Sequence, residues 1–368
     1  MYLDLFAVMT AVMKIKFYLI IEATIILFNV MRNIIKKLLF CFISGLFLVS
    51  CSNDTLKPDI FLINKELTIG DSKKNIIGII SDFKIDQKGN IYILDSGFKR
   101  IDKFNKDGVL IKVFGFGEGR GPGEFIAPHA LDIDRLGNIY VVDKILRNIT
   151  VFDSLNNVIY TQKLKFMPAQ ILVSASKIVY SSGFLHSYDG DIIYKYNFNN
   201  PSNYFVKSFC KRLTSSNSLT IEMSGNSGRL FKDNNNNVYF SFSYPYEIRK
   251  YNPDGVIVKT YKESPSFFSD PYFDSEKKYV VSNSGCYETF FLNDSLLFNL
   301  IYRKSGEQID YYWDIINFDN LKNIGRINIK KVGLDSVRFI RSDLNGNIYL
   351  DRLSPYPHID KYSLKIKK

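Results

Sequence analysis

Five glycines fall within nine residues of the stretch FGFGEGRGPGEF, Phe114–Phe125. Glycine-rich loops can cradle phosphates, so this is the first place where chemistry is expected. A dinucleotide fingerprint needs Gly-x-Gly-x-x-Gly leading from a strand directly into a helix. Starting from Gly115 and Gly117 the third glycine is replaced by Arg120, and starting from Gly119 and Gly121 it is replaced by Glu124. No Gly-Lys-Ser/Thr ending follows, and Pro128 opens an extended segment. Spacing and context both exclude phosphate binding. The chain has three histidines, His129, His186 and His358, and a zinc site needs several convergent ligands. Asp95 and Asp143 are a candidate acid/base pair, but each recurs at the end of the same short motif, which favours a structural role in capping a loop. There is no Gly-x-Ser-x-Gly elbow. Cys210 and Cys286 are too few to define a disulfide framework, and a bond between them is left open.

What positions these residues is a repeat. DQKGNIYILD (Asp86–Asp95) and DRLGNIYVVD (Asp134–Asp143) are near copies, and DNNNNVYFSF (Asp233–Phe242) and DLNGNIYLDR (Asp343–Arg352) are relatives. Alignment on the aromatic position gives Tyr92, Tyr140, Tyr180, Tyr239, Phe298 and Tyr349, at intervals of 48, 40, 59, 59 and 51 residues. That period suits a four-stranded propeller blade rather than a helical repeat. Asp-x-x-Gly-Asn is turn chemistry, and the alternating run behind it is a strand. A second hairpin follows in several units, with Asp-Gly at 107–108 and 254–255 marking tight turns. No amphipathic helix of useful length is present.

The stretch GEGRGPGEFIAPHALDIDRLGNIYVVDKILRNITVFD, with Pro before the inner strand and Asp plus Arg-Asn ahead of the third, resembles one NHL-type repeat. From residue 51 onward the chain resembles the six-bladed β-propeller lipoproteins of Gram-negative bacteria, many without an assigned activity. The resemblance is strong over repeats 1, 2 and 6, fair over 4, and weak over 3 and 5. It implies an all-β fold: a six-bladed β-propeller of four-stranded antiparallel blades. The last unit ends one strand short, and DIFLINKELTIG (Asp59–Gly70) is a spare strand ahead of the first. We expect this N-terminal strand, about 59–70, to complete the last blade and close the ring, removing an exposed edge.

In such a meander the repeated turns share one face. The loops after the aromatic strands and between blades share the other, where a ligand site is expected. Two rings of positions open the inner strands on that face. The first holds Ser81, His129, Ala169, Gly228, Tyr287 and Arg338, and the second Asp82, Ala130, Gln170, Arg229, Glu288 and Phe339. Asp82, His129, Arg229, Tyr287, Glu288 and Arg338 therefore form a mixed-charge funnel at the mouth of the central channel. The glycine-rich loop crosses from blade 1 to blade 2 beside it, contributing Arg120 and Glu124. The alternative is that these charges only pair with one another around a water-filled channel. In the amidating lyases, NHL-type propellers too, histidine at the His129 position binds a catalytic metal. Only His129 matches here, so no metal or other cofactor is expected.

The ends set the compartment. Residues 31–50 carry Arg32, Lys36 and Lys37 and then an apolar run to Val49, the pattern of a secretory signal. Leu48-Val49-Ser50-Cys51 looks like a bacterial lipobox, with Cys51 as the lipidated first residue; a plain transmembrane helix is the alternative reading of the run. Residues 1–30 read as an upstream extension ahead of Met31, or as a further apolar segment interrupted by Glu22. Residues 51–58 form a short linker, and residues 59–368 the propeller. Removing residues 1–50, with five basic and two acidic side chains, lowers the net charge from +11 to +8. The remaining basic residues are scattered along strands, which argues against a nucleic-acid partner.

The expectation is a cell-envelope protein, anchored to the membrane through Cys51 and on the outer membrane by its lack of an acidic residue at Ser52. It would bind a polar oligomer, glycan or peptide, or another envelope protein. The alternative is a polysaccharide or glycoconjugate hydrolase or lyase working in the channel.

Overall fold

The computed structural model describes residues 61–366, apart from 175–176, 185–189, 201–202, 214–226, 277–278, 294–295, 318, 321 and 335–337. The proposed extension, signal, Cys51 and linker lie outside these residues, as does His186.

Among the described residues the chain is built of strands, with one short 3₁₀ turn at Ile329–Val332. Four-stranded antiparallel sheets follow one another. Blade 1 holds β2 (Ile80–Ile85), β3 (Ile91–Asp95), β4 (Arg100–Phe104) and β5 (Leu110–Phe114). Blade 2 holds β6 (Pro128–Ile133), β7 (Ile139–Asp143), β8 (Asn148–Phe152) and β9 (Val158–Lys163). Blade 3 holds β10 (Met167–Val173), β11 (Ile178–Phe184), β12 (Asp191–Asn197) and β13 (Phe205–Lys211). Blade 4 holds β14 (Gly228–Lys232), β15 (Val238–Phe242), β16 (Glu247–Tyr251) and β17 (Ile257–Lys262). A small hairpin, β18 (Tyr272–Asp274) and β19 (Tyr279–Val281), leads to blade 5, made of β20 (Ser284–Asn293), β21 (Leu296–Ser305), β22 (Gln308–Asn317) and β23 (Lys322–Asn328). Blade 6 holds β24 (Ile340–Ser342), β25 (Ile348–Arg352), β26 (His358–Ile366) and, as its outer strand, β1 (Phe61–Ile69).

The last pairing is the expected closure. β1 runs antiparallel to β26 from Phe61↔Ile366 to Ile69↔Ile359. The six aromatic positions of the repeat all fall on second strands, so the weak third and fifth repeats are true blades.

The burial patterns explain the sequence patterns. β3, β7 and β15 are buried at every residue, because each lies between neighbouring blades on both faces. The outer strand β9 alternates half-buried and exposed positions. Buried side chains gather at the blade junctions. Tyr92 and Phe114 of blade 1 meet Leu131 and Phe152 of blade 2, and Phe290 and Trp313 of blade 5 meet Ile340 and Leu350 of blade 6. Phe83 and Ile93 of blade 1 meet Tyr349, Ile359 and Ile69 of blade 6, so the core itself closes into a ring.

The Asp-x-x-Gly-Asn-x-Tyr motif is a self-contained hydrogen-bonding unit. One oxygen of Asp134 accepts the N–H of Leu136 and Asn138, each at 2.9 Å. The other accepts the Asn138 side-chain amide at 2.7 Å and the Tyr140 hydroxyl at 3.3 Å. Asp86, Asp233 and Asp343 repeat this with Tyr92, Tyr239 and Tyr349. Burial beside the carboxylate pushes the Tyr140 hydroxyl above its ordinary range, so it stays a donor. Asp134→Ala strands these donors in a buried turn and is expected to cost about 2–3 kcal/mol. Urea unfolding checks this, and a loss under 1 kcal/mol would mean the motif adds little.

Candidate functional site

The loops that carry the candidate residues are held by a second set of carboxylates. Asp143, fully buried at the end of β7, accepts Ile126 and Ala127 N–H with one oxygen, both at 2.8 Å. Its other oxygen accepts Ile145 at 2.9 Å and Leu146 at 2.8 Å. Asp95 does the same for Gly78, Ile79, Gly97 and Phe98, and Asp351 for Arg338 and Phe339. These acids tie the loop after each second strand to the approach of the inner strand. Four N–H donors on one carboxylate leave it fit for positioning rather than for proton transfer.

The inner strands carry a feature that the sequence did not reveal. Ser81, His129, Ala169 and Tyr287 are each the extra residue of a β-bulge, skipped between Ile80 and Asp82, Pro128 and Ala130, Pro168 and Gln170, and Cys286 and Glu288. Bulges re-aim side chains, and here they fall on the ring aligned from sequence. The inner strand of blade 4 has no bulge, and Gly228 and Arg229 pair regularly with Phe242 and Ser241. A side chain at Gly228 would collide with the Ser241 carbonyl and the Phe240 ring.

Of the candidate residues, His129, Arg229, Tyr287 and Arg338 come together around one cavity of about 410 Å³, with Lys144 and Phe339 also in its wall. Asp82 and Glu288 are turned to Arg341, a residue the repeat alignment did not single out. Its guanidinium bonds Asp82 at 2.7 Å and Glu288 at 3.0 Å, while Arg229 approaches Glu288 at 3.4 Å. Asp82 also accepts Phe83 N–H at 2.9 Å and Leu131 N–H at 3.1 Å. Blades 1, 2, 4, 5 and 6 are thereby joined. Burial alone would raise the Asp82 carboxyl, but the Arg341 and Lys84 charges and the Leu131 N–H leave it below its ordinary value. Phe339 carries Arg229, Arg338 and Arg341 over its ring at 5.4, 5.4 and 5.9 Å, the geometry of cation–π contacts.

The cavity wall is therefore cationic, not mixed. Arg338 is tied to Asp351 at 2.8 Å and Arg229 to Glu288. Lys144, half-buried, has no carboxylate within ion-pair distance among the described residues. Burial and the nearby Arg229 hold its ammonium below the ordinary lysine range. Burial, reinforced by Lys144 and Arg229 and only partly opposed by Asp82, depresses His129 to about 4, so at neutral pH it is uncharged. Among the described residues no three His, Cys, Asp or Glu side chains converge as a metal ion would need. His358 lies elsewhere, its Nδ1 2.6 Å from the Tyr356 carbonyl.

Arg120 and Glu124 do not line this cavity. The glycine-rich loop folds on itself: Phe116 N–H donates to Gly123 and Phe125 N–H to Gly117, at 2.9 and 3.0 Å. Glu124 accepts Gly121 N–H at 2.7 Å. Gly123 sits at φ +84°, where a side chain would come within 2.5 Å of the Phe116 ring. Arg120 is exposed. Cys210 and Cys286 are buried free thiols, which settles the open bond between them. The residue that sequence reasoning missed at the mouth is Lys144. Its one signal was its place directly after Asp143, in a loop on the variable face.

A ring of six four-stranded blades, closed by the strand β1 and opening on a cationic cavity, defines a six-bladed β-propeller. Residues 69–323 match the profile of the DUF5128 family, described as a 6-bladed beta-propeller, and the chain belongs to that family. No curated protein sequence matches it. The fold is similar to a Bacteroides fragilis protein assigned as exported, at 13% identity and a TM-score of 0.61, over 84% of this chain and 96% of that one. It is also similar to a DUF4221 family member from Bacteroides vulgatus, at 7% identity and a TM-score of 0.59, over 84% and 100%. Kuenenia stuttgartiensis hydrazine synthase aligns at 10% identity and a TM-score of 0.52, over 76% of each chain. These likenesses establish the fold alone.

Proposed function

We propose that this propeller is a cell-envelope binding protein, lipid-anchored through Cys51, that holds a carboxylate-bearing ligand at the loop-face mouth of its channel. The compartment rests on the basic-then-apolar stretch ahead of Cys51. Export of the Bacteroides fragilis neighbour is in keeping with it. An outer-membrane address and NHL-type repeats belong to the same reading. The observation that carries the binding site is Lys144, a half-buried ammonium with no acidic partner among the described residues, sharing one cavity wall with Arg229 and a neutral His129. Burying a charge without a partner is costly, so the arrangement is suited to an anion supplied from outside. His129 adds a neutral hydrogen-bonding group to the same wall.

The test is calorimetric. The purified protein is titrated with trigalacturonate and with an N-acetylated tripeptide bearing a free C-terminal carboxylate, each beside its methyl ester. At least one acid should bind and its ester should not. Lys144→Met should weaken that binding about tenfold, the value of one charge-assisted contact, with an unchanged melting temperature. Affinity should be level between pH 6 and 8 and fall as rising pH neutralises Lys144, at a pH below that of an ordinary lysine. Equal binding of acid and ester, or no effect of Lys144→Met, overturns the site. A mature N-terminus other than acylated Cys51 overturns the anchor.

A further inference from the structure

Blade 5 is longer than its neighbours on the side where the mouth opens. Its strands β20, β21 and β22 have ten residues each, whereas β14, β15 and β16 of blade 4 have five. Aligned on the aromatic position, β21 runs four residues past the point where β15 stops, from Tyr302 to Ser305, before turning into β22. The extension stands above the mouth. Its inward part carries Tyr302 directly opposite Tyr311, with ring centres 6.5 Å apart. Both rings pack edge-on or tilted near Tyr287 of the cavity wall, at 6.4 and 6.2 Å.

Three tyrosines thus continue the cavity upward as a single aromatic surface. Tyr302 and Tyr311 remain half-buried, and none of the three hydroxyls bonds another side chain or the backbone among the described residues. Gly285 leaves room for Tyr302: any side chain there would come within 2.9 Å of its ring. Tyrosine offers a broad apolar face with a polar tip, which matches the alternating C–H faces and hydroxyls of a sugar ring. At its lower end Tyr287 shares the cavity lining with Lys144, Arg229 and Arg338. A mouth of about 410 Å³ also lies within the roughly 300–1,000 Å³ usual for small-ligand clefts.

We infer that the occupant is an acidic saccharide, its carboxylate at Lys144 and Arg229 and the following sugar ring against Tyr287, Tyr302 and Tyr311. This rests on the carboxylate site proposed above and adds the substrate class. Charge complementarity selects the acidic sugar over a neutral one, and the tyrosine wall selects a sugar over a bare carboxylate.

The experiment uses three probes on the purified protein: trigalacturonate, neutral galactotriose and the N-acetylated tripeptide acid. Trigalacturonate should bind most tightly. Tyr302→Ala should weaken it five- to tenfold and Tyr302→Phe much less, with both variants melting as the parent does. Tyr311→Ala, whose ring also touches the blade 5–6 core, serves as a second variant read at matched folded fraction. Binding of the tripeptide without trigalacturonate overturns the saccharide inference and leaves the carboxylate site standing. Equal binding of galactotriose and trigalacturonate overturns the charge selection. No binding of either acid overturns both proposals, and Tyr302→Ala binding like the parent overturns the aromatic wall.

Discussion

Arg341→Met is expected to lower the unfolding free energy by about 3–5 kcal/mol, the usual cost of removing one partner from a buried ion pair. The reason is what it leaves behind. Arg341 bonds Asp82 of blade 1 and Glu288 of blade 5, both almost fully buried. Methionine keeps the packing against Phe83 and Phe339 but abandons two carboxylates inside the ring. The pH dependence should change sign. In the parent, Asp82 is held below its ordinary carboxyl value, so its contribution is present above about pH 4 and is lost as pH falls through the lower folded value. In the variant, burial of Asp82 acts unopposed by Arg341 and raises its carboxyl above the unfolded value, so stability is regained as pH falls. Urea unfolding at pH 7 and pH 5 checks this: the deficit should shrink at pH 5. Adding Asp82→Asn and Glu288→Gln should recover part of the loss at pH 7. A single variant with parental stability at both pH values would show that the network is dispensable.

What the sequence disclosed and what it withheld follow one physical division. The aromatic anchor and its turn are local: Asp134, Asn138 and Tyr140 satisfy one another within six residues, so each copy is visible in the string. Six such copies located every second strand, even at Tyr180 and Phe298, where no aspartate stands six residues before the aromatic position. Closure was legible because a last blade one strand short needs a partner, and only one spare strand preceded the first. The mouth was legible in position but not in charge. Aligning His129 with Tyr287 and Arg338 named residues that line one cavity, yet the string cannot tell that Asp82 and Glu288 turn to Arg341 across some 260 and 50 residues of sequence. Those pairings depend on the angle between distant blades. The bulges at Ser81, His129, Ala169 and Tyr287 escaped for the same reason, since a bulge is defined by the partner strand. Arg120 and Glu124 fall outside that cavity lining because the glycine-rich loop folds on itself.

Beginning the chain at residue 71 should abolish the cooperative melt or lower its midpoint by more than ~10 °C. The strand removed, β1, is the outer strand of blade 6, and its loss acts on three levels. Ile69 is fully buried where blade 6 meets blade 1, and emptying one such site costs roughly 2–5 kcal/mol. Asp360, buried in β26, loses Lys65 at 2.6 Å and the Thr68 hydroxyl at 2.7 Å, leaving its charge to Arg352 at 3.7 Å. The backbone bonds along the pairing from Phe61 to Ile69 add about 1 kcal/mol each. Together these reach the total stability of an ordinary domain, roughly 5–15 kcal/mol. The ring also ceases to be closed by one chain segment reaching both ends, and β26 becomes an unpaired edge of nine residues. Unpaired edges recruit strands from other molecules, so the shortened protein should aggregate at concentrations where the parent is monodisperse. Thermal melting and light scattering read both effects. A synthetic peptide of residues 59–70 added in trans should restore the melt, because the groove between β26 and blade 1 is complementary to this strand. Retention of the parental midpoint by the shortened chain would show that the ring is held by its blade junctions alone.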